Sequence, residues 1–242
     1  MIIQSTRVYL NGSFQKAQIV ILEHKITDIH PYGMFKPDLD VADLMILPGF
    51  IDIHTHGYQG MNANKADKEG LTRWVNALPA EGVTSFLVTT STAPIEELKV
   101  SLALALDLMK HQTEGARILG FHLEGPFLSI KHIGAQRPDW VQKPDVEIFK
   151  QFEEAAGHQI KLMSLAIEND DQLALTKYAH SQGVVLEIGH SGADIALIRQ
   201  AIPFGVKSFC HTFNGMSGLH HRDIGTAGAA MRLENLYAEL IG

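Results

Sequence analysis

The feature that most constrains the fold is an alternation of apolar strands with amphipathic helices that sets in around residue 45. Strands are expected at 45–56, 84–90, 117–124, 160–167, 184–190 and 207–212. Between them, apolar residues recur at three- and four-residue spacing over 67–80, 94–111, 145–156, 170–182 and 193–202, the period of helices that bury one face. Asp170 and Asp194 stand where helix N-caps or first-turn acids belong, and Pro94 sits at the first position of the second helix with Thr92 shortly before it. Such alternation requires parallel strands joined by right-handed crossovers, and pattern alone admits both a doubly wound sheet and a (β/α)8 barrel.

The first 30 residues follow a different rule. They read as short strands, with a hairpin turn at Asn11-Gly12 after Val8-Tyr9-Leu10. The expected organisation is therefore a small β-domain over 1–45 and an α/β body over 46–242.

Polar residues favour the barrel. His54 and His56, Glu124, His190 and His211 all fall at the C-terminal ends of separate expected strands, which in a barrel surround one mouth. His54 and His56 are two residues apart, so on a strand they face the same way, roughly 6–7 Å apart. Four imidazoles and a carboxylate are the donor set of a mono- or binuclear hydrolytic metal site. Glycines beside them, Gly125, Gly189, Gly192 and Gly215, permit close backbone approach to a ligand. Cys210 is expected to face away from His211 and to pack in the core, and Asp52 to face away from the histidine pair.

Charge and cysteine usage exclude other classes. The chain carries 20 basic and 27 acidic residues, a net charge of −7, which argues against nucleic acid or an anionic membrane as partner. Neither a signal-peptide layout nor an apolar run of membrane-spanning length is present, and the single cysteine suits a reducing cytoplasm.

Four motifs together, PGFIDIHTHG, FHLEGPFLSIKHIGAQRPDW, EIGHSGAD and CHTFNGMSGLHHRDIGTAGA, resemble the N-acetylglucosamine-6-phosphate deacetylases of the amidohydrolase superfamily in order and spacing. The resemblance runs from about residue 40 onward, and the N-terminal strands fit that family's small β-sandwich domain. It implies hydrolysis of the acetamido group of N-acetylglucosamine 6-phosphate in amino-sugar catabolism, with a divalent metal, zinc first and iron or another metal as alternatives, as one or two ions. By the same resemblance Glu124, His190 and His211 are the principal ligands, and His54 and His56 the second position found in some members. Ala135, Asn214, Gly215 and Arg222 match substrate contacts, Arg222 as a planar phosphate donor, and His221 is placed beside the phosphate pocket. Gln136 stands where many members have histidine, and Asp223 is expected to partner Arg222.

The family's acid–base aspartate lies on an eighth strand. The sequence reads at Tyr237-Ala238-Glu239-Leu240-Ile241-Gly242 as the start of a seventh. The expected fold is accordingly an incomplete (β/α)8 TIM-type barrel of about six to seven strands with a small N-terminal β-domain, lacking that aspartate. A homodimer is expected. Two alternatives stay open: another amidohydrolase, and a catalytically silent metal- or sugar-phosphate-binding protein.

Overall fold

The computed structural model describes residues 1–241, which form two compact units, Met1–Phe50 and the chain from Ile51 onward. In the first, β1 (Ile2–Leu10), β2 (Ser13–Leu22) and β3 (Lys25–Pro31) form an antiparallel meander. Asn11 (φ 50°) and Gly12 (φ 85°) take the positive φ that a tight turn between right-twisted strands demands. Short β4 (Leu39–Asp40) and β5 (Met45–Ile46) run parallel to β1, and Val8, Ala17 and Ile19 make a small core.

The expected strand over 45–56 is thus two strands in two sheets. Residues 47–49 pair with neither, and Pro48, with no N–H to give, stands in the break.

The second unit is a seven-stranded sheet of β6 (Phe50–Thr55), β7 (Val83–Thr90), β8 (Arg117–Glu124), β9 (Ile160–Leu165), β10 (Val185–Ile188), β11 (Val206–Phe209) and β12 (Tyr237–Ala238). The strands lie side by side in chain order, and from β7 to β12 each is parallel to its neighbour. A doubly wound sheet reverses order at its switch point, and this one does not. The two ends of the sheet also approach each other. His54 of β6 and Glu239, directly after β12, touch at 2.9 Å. A sheet whose first and seventh strands meet at their C-terminal ends is curled as a barrel wall.

Helices cover the convex face: α1 (Lys68–Ala77), α2 (Ile95–His111), α3 (Val146–Ala155), α4 (Ala174–Ser181), α5 (Ile195–Ala201) and α6 (Gly225–Arg232). Leu71, Trp74, Val75 and Leu78 at and just beyond α1 are buried, as are Leu98, Ser101, Leu102 and Ala105 of α2, the i, i+3, i+4, i+7 stripe of a one-sided helix. Asp67, Asp145 and Asp194 cap α1, α3 and α5 with their side chains.

The helix expected at 170 starts only at Ala174, because Gln172 (φ 51°) and Leu173 (φ 55°) leave helical geometry. Asp170 still serves it, accepting from the N–H groups of Leu175 and Thr176. α6 was not anticipated; its sequence GTAGAAMR has two glycines and no wide apolar stripe, and packing rather than propensity holds it.

Candidate metal centre

Alternation along β8 sends Phe121 and Leu123 to one face and His122 and Glu124 to the other. The polar face of this sheet carries two layers. The deeper one is closed. Ser164 of β9 gives its hydroxyl proton to Glu187 Oε1 at 2.6 Å, so its oxygen, 2.7 Å from His122 Nε2, accepts there. His122 Nδ1 lies 3.1 Å from the Ile53 carbonyl. Both ring nitrogens therefore donate, which makes His122 an imidazolium. Burial opposes that charge, but the carboxylate of Glu187 outweighs it and raises the His122 pKa. Burial likewise works against the Glu187 charge, while His122 and Ser164 hold its pKa low. Ser208 donates to the second Glu187 oxygen at 3.0 Å.

The upper layer brings together the five expected ligands. Glu124 Oε1 lies 2.9 Å from His211 Nε2 and 3.1 Å from His190 Nε2, which are 3.2 Å from each other. His54 and His56 approach by their Nε2 atoms at 3.3 Å, with His56 3.1 Å from Glu124 Oε2 and His54 3.6 Å from Oε1. Donors bound at roughly 2.0–2.1 Å around a tetrahedral ion stand ~3.3 Å apart, so these separations suit shared coordination.

The far side of each ring decides what the near side can do. His56 Nδ1 gives its proton to the Thr89 carbonyl (3.1 Å), His190 Nδ1 to that of His132 (2.9 Å), and His211 Nδ1 to that of Asn214 (3.1 Å). His54 Nδ1 gives its proton to Glu239 Oε2 (2.9 Å). A neutral imidazole that donates from Nδ1 has only a lone pair at Nε2. Four lone pairs thus converge on a carboxylate, an arrangement that repels unless protons or a cation lie between them. The donor set therefore fits a divalent cation, with neutral imidazole and carboxylate ligands suited to zinc-like ions.

Burial works against the Glu124 charge, but hydrogen bonds from His190, His211 and His56 prevail and hold its pKa far below the usual carboxylate range. Burial also opposes a charge on His211, and Glu124 overrides it to raise the pKa.

His190 (φ 48°) and His211 (φ 25°) both sit in the left-handed region, an uncommon conformation that holds their rings over Glu124. Cys210 is buried as expected, but alternation along β11 sends Ser208 and Cys210 together to the polar face, and it is His211 that leaves parity: Cys210 Sγ lies 3.8 Å from Glu124 Oε1 and 3.7 Å from His54 Nδ1. It faces the site rather than away from it. Burial, with Glu187, Glu124 and Glu239 nearby, pushes its thiol pKa far up.

Asp52 corrects a second expectation: residues 52, 54 and 56 share one parity. Its Oδ1 accepts the His54 N–H at 3.0 Å, and with His54, His56, His211 and Glu239 it lines a cavity of about 510 Å³.

The expected substrate residues divide. Asn214 carries the carbonyl that orients His211. Gly215 (φ 58°) is packed so closely that a Cβ would stand 2.7 Å from His190 Nδ1. Ala135 is exposed in the adjacent loop, next to Gly134, where a Cβ would come 3.3 Å from the same ring. Arg222 and His221 are exposed in the turn before α6, and Arg222 Nε donates to His221 Nε2 at 3.0 Å. Asp223 does not partner Arg222: its Oδ1 accepts the Gly225 N–H at the start of α6.

Two residues at the site are not among the expected ligands or substrate contacts. Gln136 donates from Nε2 to Glu124 Oε2 at 2.7 Å while its Oε1 accepts the Thr92 N–H. Glu239 reaches His54 and the His211 N–H.

The amidohydrolase family model matches residues 45–231. An N-acetylglucosamine-6-phosphate deacetylase of Bacillus subtilis (strain 168) is 38% identical over 83% of this chain and 51% of its own length. An N-acetylgalactosamine-6-phosphate deacetylase of Escherichia coli O157:H7 is 30% identical over 95% of this chain and 60% of its own. Among solved structures, a mutant N-acetyl-D-glucosamine-6-phosphate deacetylase of Mycobacterium smegmatis in complex with N-acetyl-D-glucosamine-6-phosphate superposes with a TM-score of 0.91 at 26% identity. It covers 99% of this chain and 62% of that one. The chain therefore spans about half to three fifths of the length of these relatives.

Proposed function

The chain belongs to the amidohydrolase family, and on that premise we propose that it takes part in metal-dependent deacetylation of N-acetylglucosamine 6-phosphate. The observation that carries this reading is the convergence of four imidazole Nε2 atoms on Glu124 with every Nδ1 already committed to an acceptor. Such a site binds a cation by lone pairs alone. When bound, a divalent ion, zinc in our reading, supplies Lewis acidity to an amide carbonyl and to water.

The chain's own residues do the rest. Carbonyls of Thr89, His132 and Asn214 fix the ring tautomers. The imidazolium–carboxylate layer of His122 and Glu187 sits beneath the ligands, with the His54 and His122 ring centroids 4.7 Å apart, and stiffens the floor. His56, the most open ligand with 40% side-chain exposure against 4% for Glu124, marks the side from which substrate enters. By the motif resemblance, Arg222, Asn214 and Gly215 hold the sugar phosphate, His221 stands beside it, and Ala135 offers its backbone to the substrate. N-acetylgalactosamine 6-phosphate is a second substrate candidate, favoured by the Escherichia coli relative's name.

The experiment is release of hexosamine 6-phosphate from both acetylated sugars by zinc-loaded protein, chelator-stripped protein and Glu124→Ala. Release by the loaded form alone supports the reading. Metal and sugar-phosphate binding without release selects the silent binding protein instead.

A further inference from the structure

Glu239 has no assigned part in the site, yet its position is unusually determined. It follows β12, and its backbone continues the pairing with the chain after β11: its N–H donates to Phe209 at 2.9 Å and its carbonyl accepts from Thr212 at 2.8 Å. This fixes where the side chain starts. One oxygen, Oε2, then accepts from two ligand residues, from His54 Nδ1 at 2.9 Å and from the backbone N–H of His211 at 3.1 Å. The other, Oε1, is buried with no hydrogen-bond partner among the described residues. The carboxylate's hold on the protein is therefore made through Oε2 alone, at the point where the two ends of the curled sheet meet.

The other three imidazoles are oriented by neutral backbone carbonyls. His54 is oriented by a carboxylate. A charged acceptor on Nδ1 fixes the tautomer more firmly than a carbonyl and makes Nε2 a stronger donor to a cation. His54 is also the ligand with the longest approach to Glu124, 3.6 Å, so it depends most on outside orientation. We infer that Glu239 is a positioning residue for a second ion position formed by His54, His56 and Glu124, distinct from the Glu124–His190–His211 position. This rests on the metal-site reading above, its second position included, and adds to it that Glu239 sets that position.

The test is zinc titration of chelator-stripped wild-type protein and Glu239→Gln, followed calorimetrically. Wild type is expected to bind two ions. Glu239→Gln should weaken one by about 10–100-fold, the usual effect of removing an orienting acceptor, and leave the other nearly unchanged. A general loss of structure would weaken both, so equal weakening overturns the inference, as does no change. One ion in wild type overturns it together with the second position, while the Glu124–His190–His211 position stands; none in wild type sinks the whole metal-site reading. Should Glu239→Gln not fold, ¹⁵N-histidine NMR of metal-free wild type decides: the Nδ1–H tautomer at His54 supports the inference and the Nε2–H tautomer overturns it.

Discussion

His122 Nε2 stands 3.1 Å from Glu187 Oε1, with neither side chain exposed to solvent at all. Removing one partner of such a pair strands the other charge, at a cost of about 3–5 kcal/mol, so Glu187→Gln should lower the melting temperature sharply. The pH dependence follows from the two shifts. Glu187 has a depressed pKa, so its contribution is present above the ordinary carboxylate range and disappears as pH falls through the folded value. His122 has a raised pKa, so its contribution is complete below the ordinary histidine value and disappears as pH rises through the folded one. The gap in melting temperature between wild type and Glu187→Gln should therefore be widest from about pH 5 to 6.5 and narrow at higher pH. A small gap, constant with pH, would show that the pair is not ionised.

Much of this layout was legible in the sequence because periodicity and strand-end chemistry are local. The strand over 117–124 and its terminal Glu124 come straight from an apolar run, and the two-residue spacing of His54 and His56 already places their rings on one face. Failures arose where a single backbone excursion mattered. Cys210 faces inward by ordinary alternation with Ser208, and it is His211, at φ 25°, that leaves strand parity to join the ligands, which no residue pattern announces. The motif marks Gln136 only as a departure from histidine and does not mark Glu239 as a site residue, because their roles are defined by partners 12 and 185 positions away, Glu124 and His54. The Arg222–Asp223 pairing assumed that adjacent opposite charges meet, whereas Asp223 is claimed by the N–H of Gly225 at the start of α6.

Zinc must displace whatever protons fill the lone-pair cluster. His211 binds its proton more tightly than a free imidazole because Glu124 lies against it. Its stabilising proton is present at low pH and lost as pH rises through the raised pKa, which is also where metal begins to bind without competition. Zinc affinity should therefore climb with pH through the ordinary histidine value and flatten only above the raised pKa of His211, with proton release on binding. Calorimetry in two buffers of different ionisation enthalpy reads that release; buffer-independent heats would contradict it.

Gln136 offers a donor to the site, not a ligand. The Thr92 N–H takes its Oε1 at 2.6 Å, which leaves Nε2 facing Glu124. Gln136→Ala removes the bond that holds the second Glu124 oxygen and should cost about tenfold or more in zinc affinity while melting temperature changes little. Unchanged affinity would mean that the histidines alone orient the carboxylate.

Gly215 tests the tight seat of His190. At φ 58° an added Cβ is strained by the backbone alone, and it would lie 2.7 Å from His190 Nδ1 and 3.1 Å from the His132 carbonyl, the two atoms whose bond orients the ring. Gly215→Ala must therefore push the imidazole off its acceptor or shift the loop. The left-handed conformation costs a β-carbon about 1 kcal/mol, too little to unfold a domain of this size. The ligand geometry is more sensitive, since a buried Nδ1 without its acceptor loses the tautomer that keeps Nε2 free. Gly215→Ala should fold with a melting temperature lowered by only a few degrees, yet lose at least tenfold in zinc affinity. Comparing it with Gly218→Ala, where a Cβ meets nothing within 4 Å, separates the ring contact from any general effect of replacing a glycine in this loop. Equal zinc affinity in the two variants would mean that His190 does not depend on this seat.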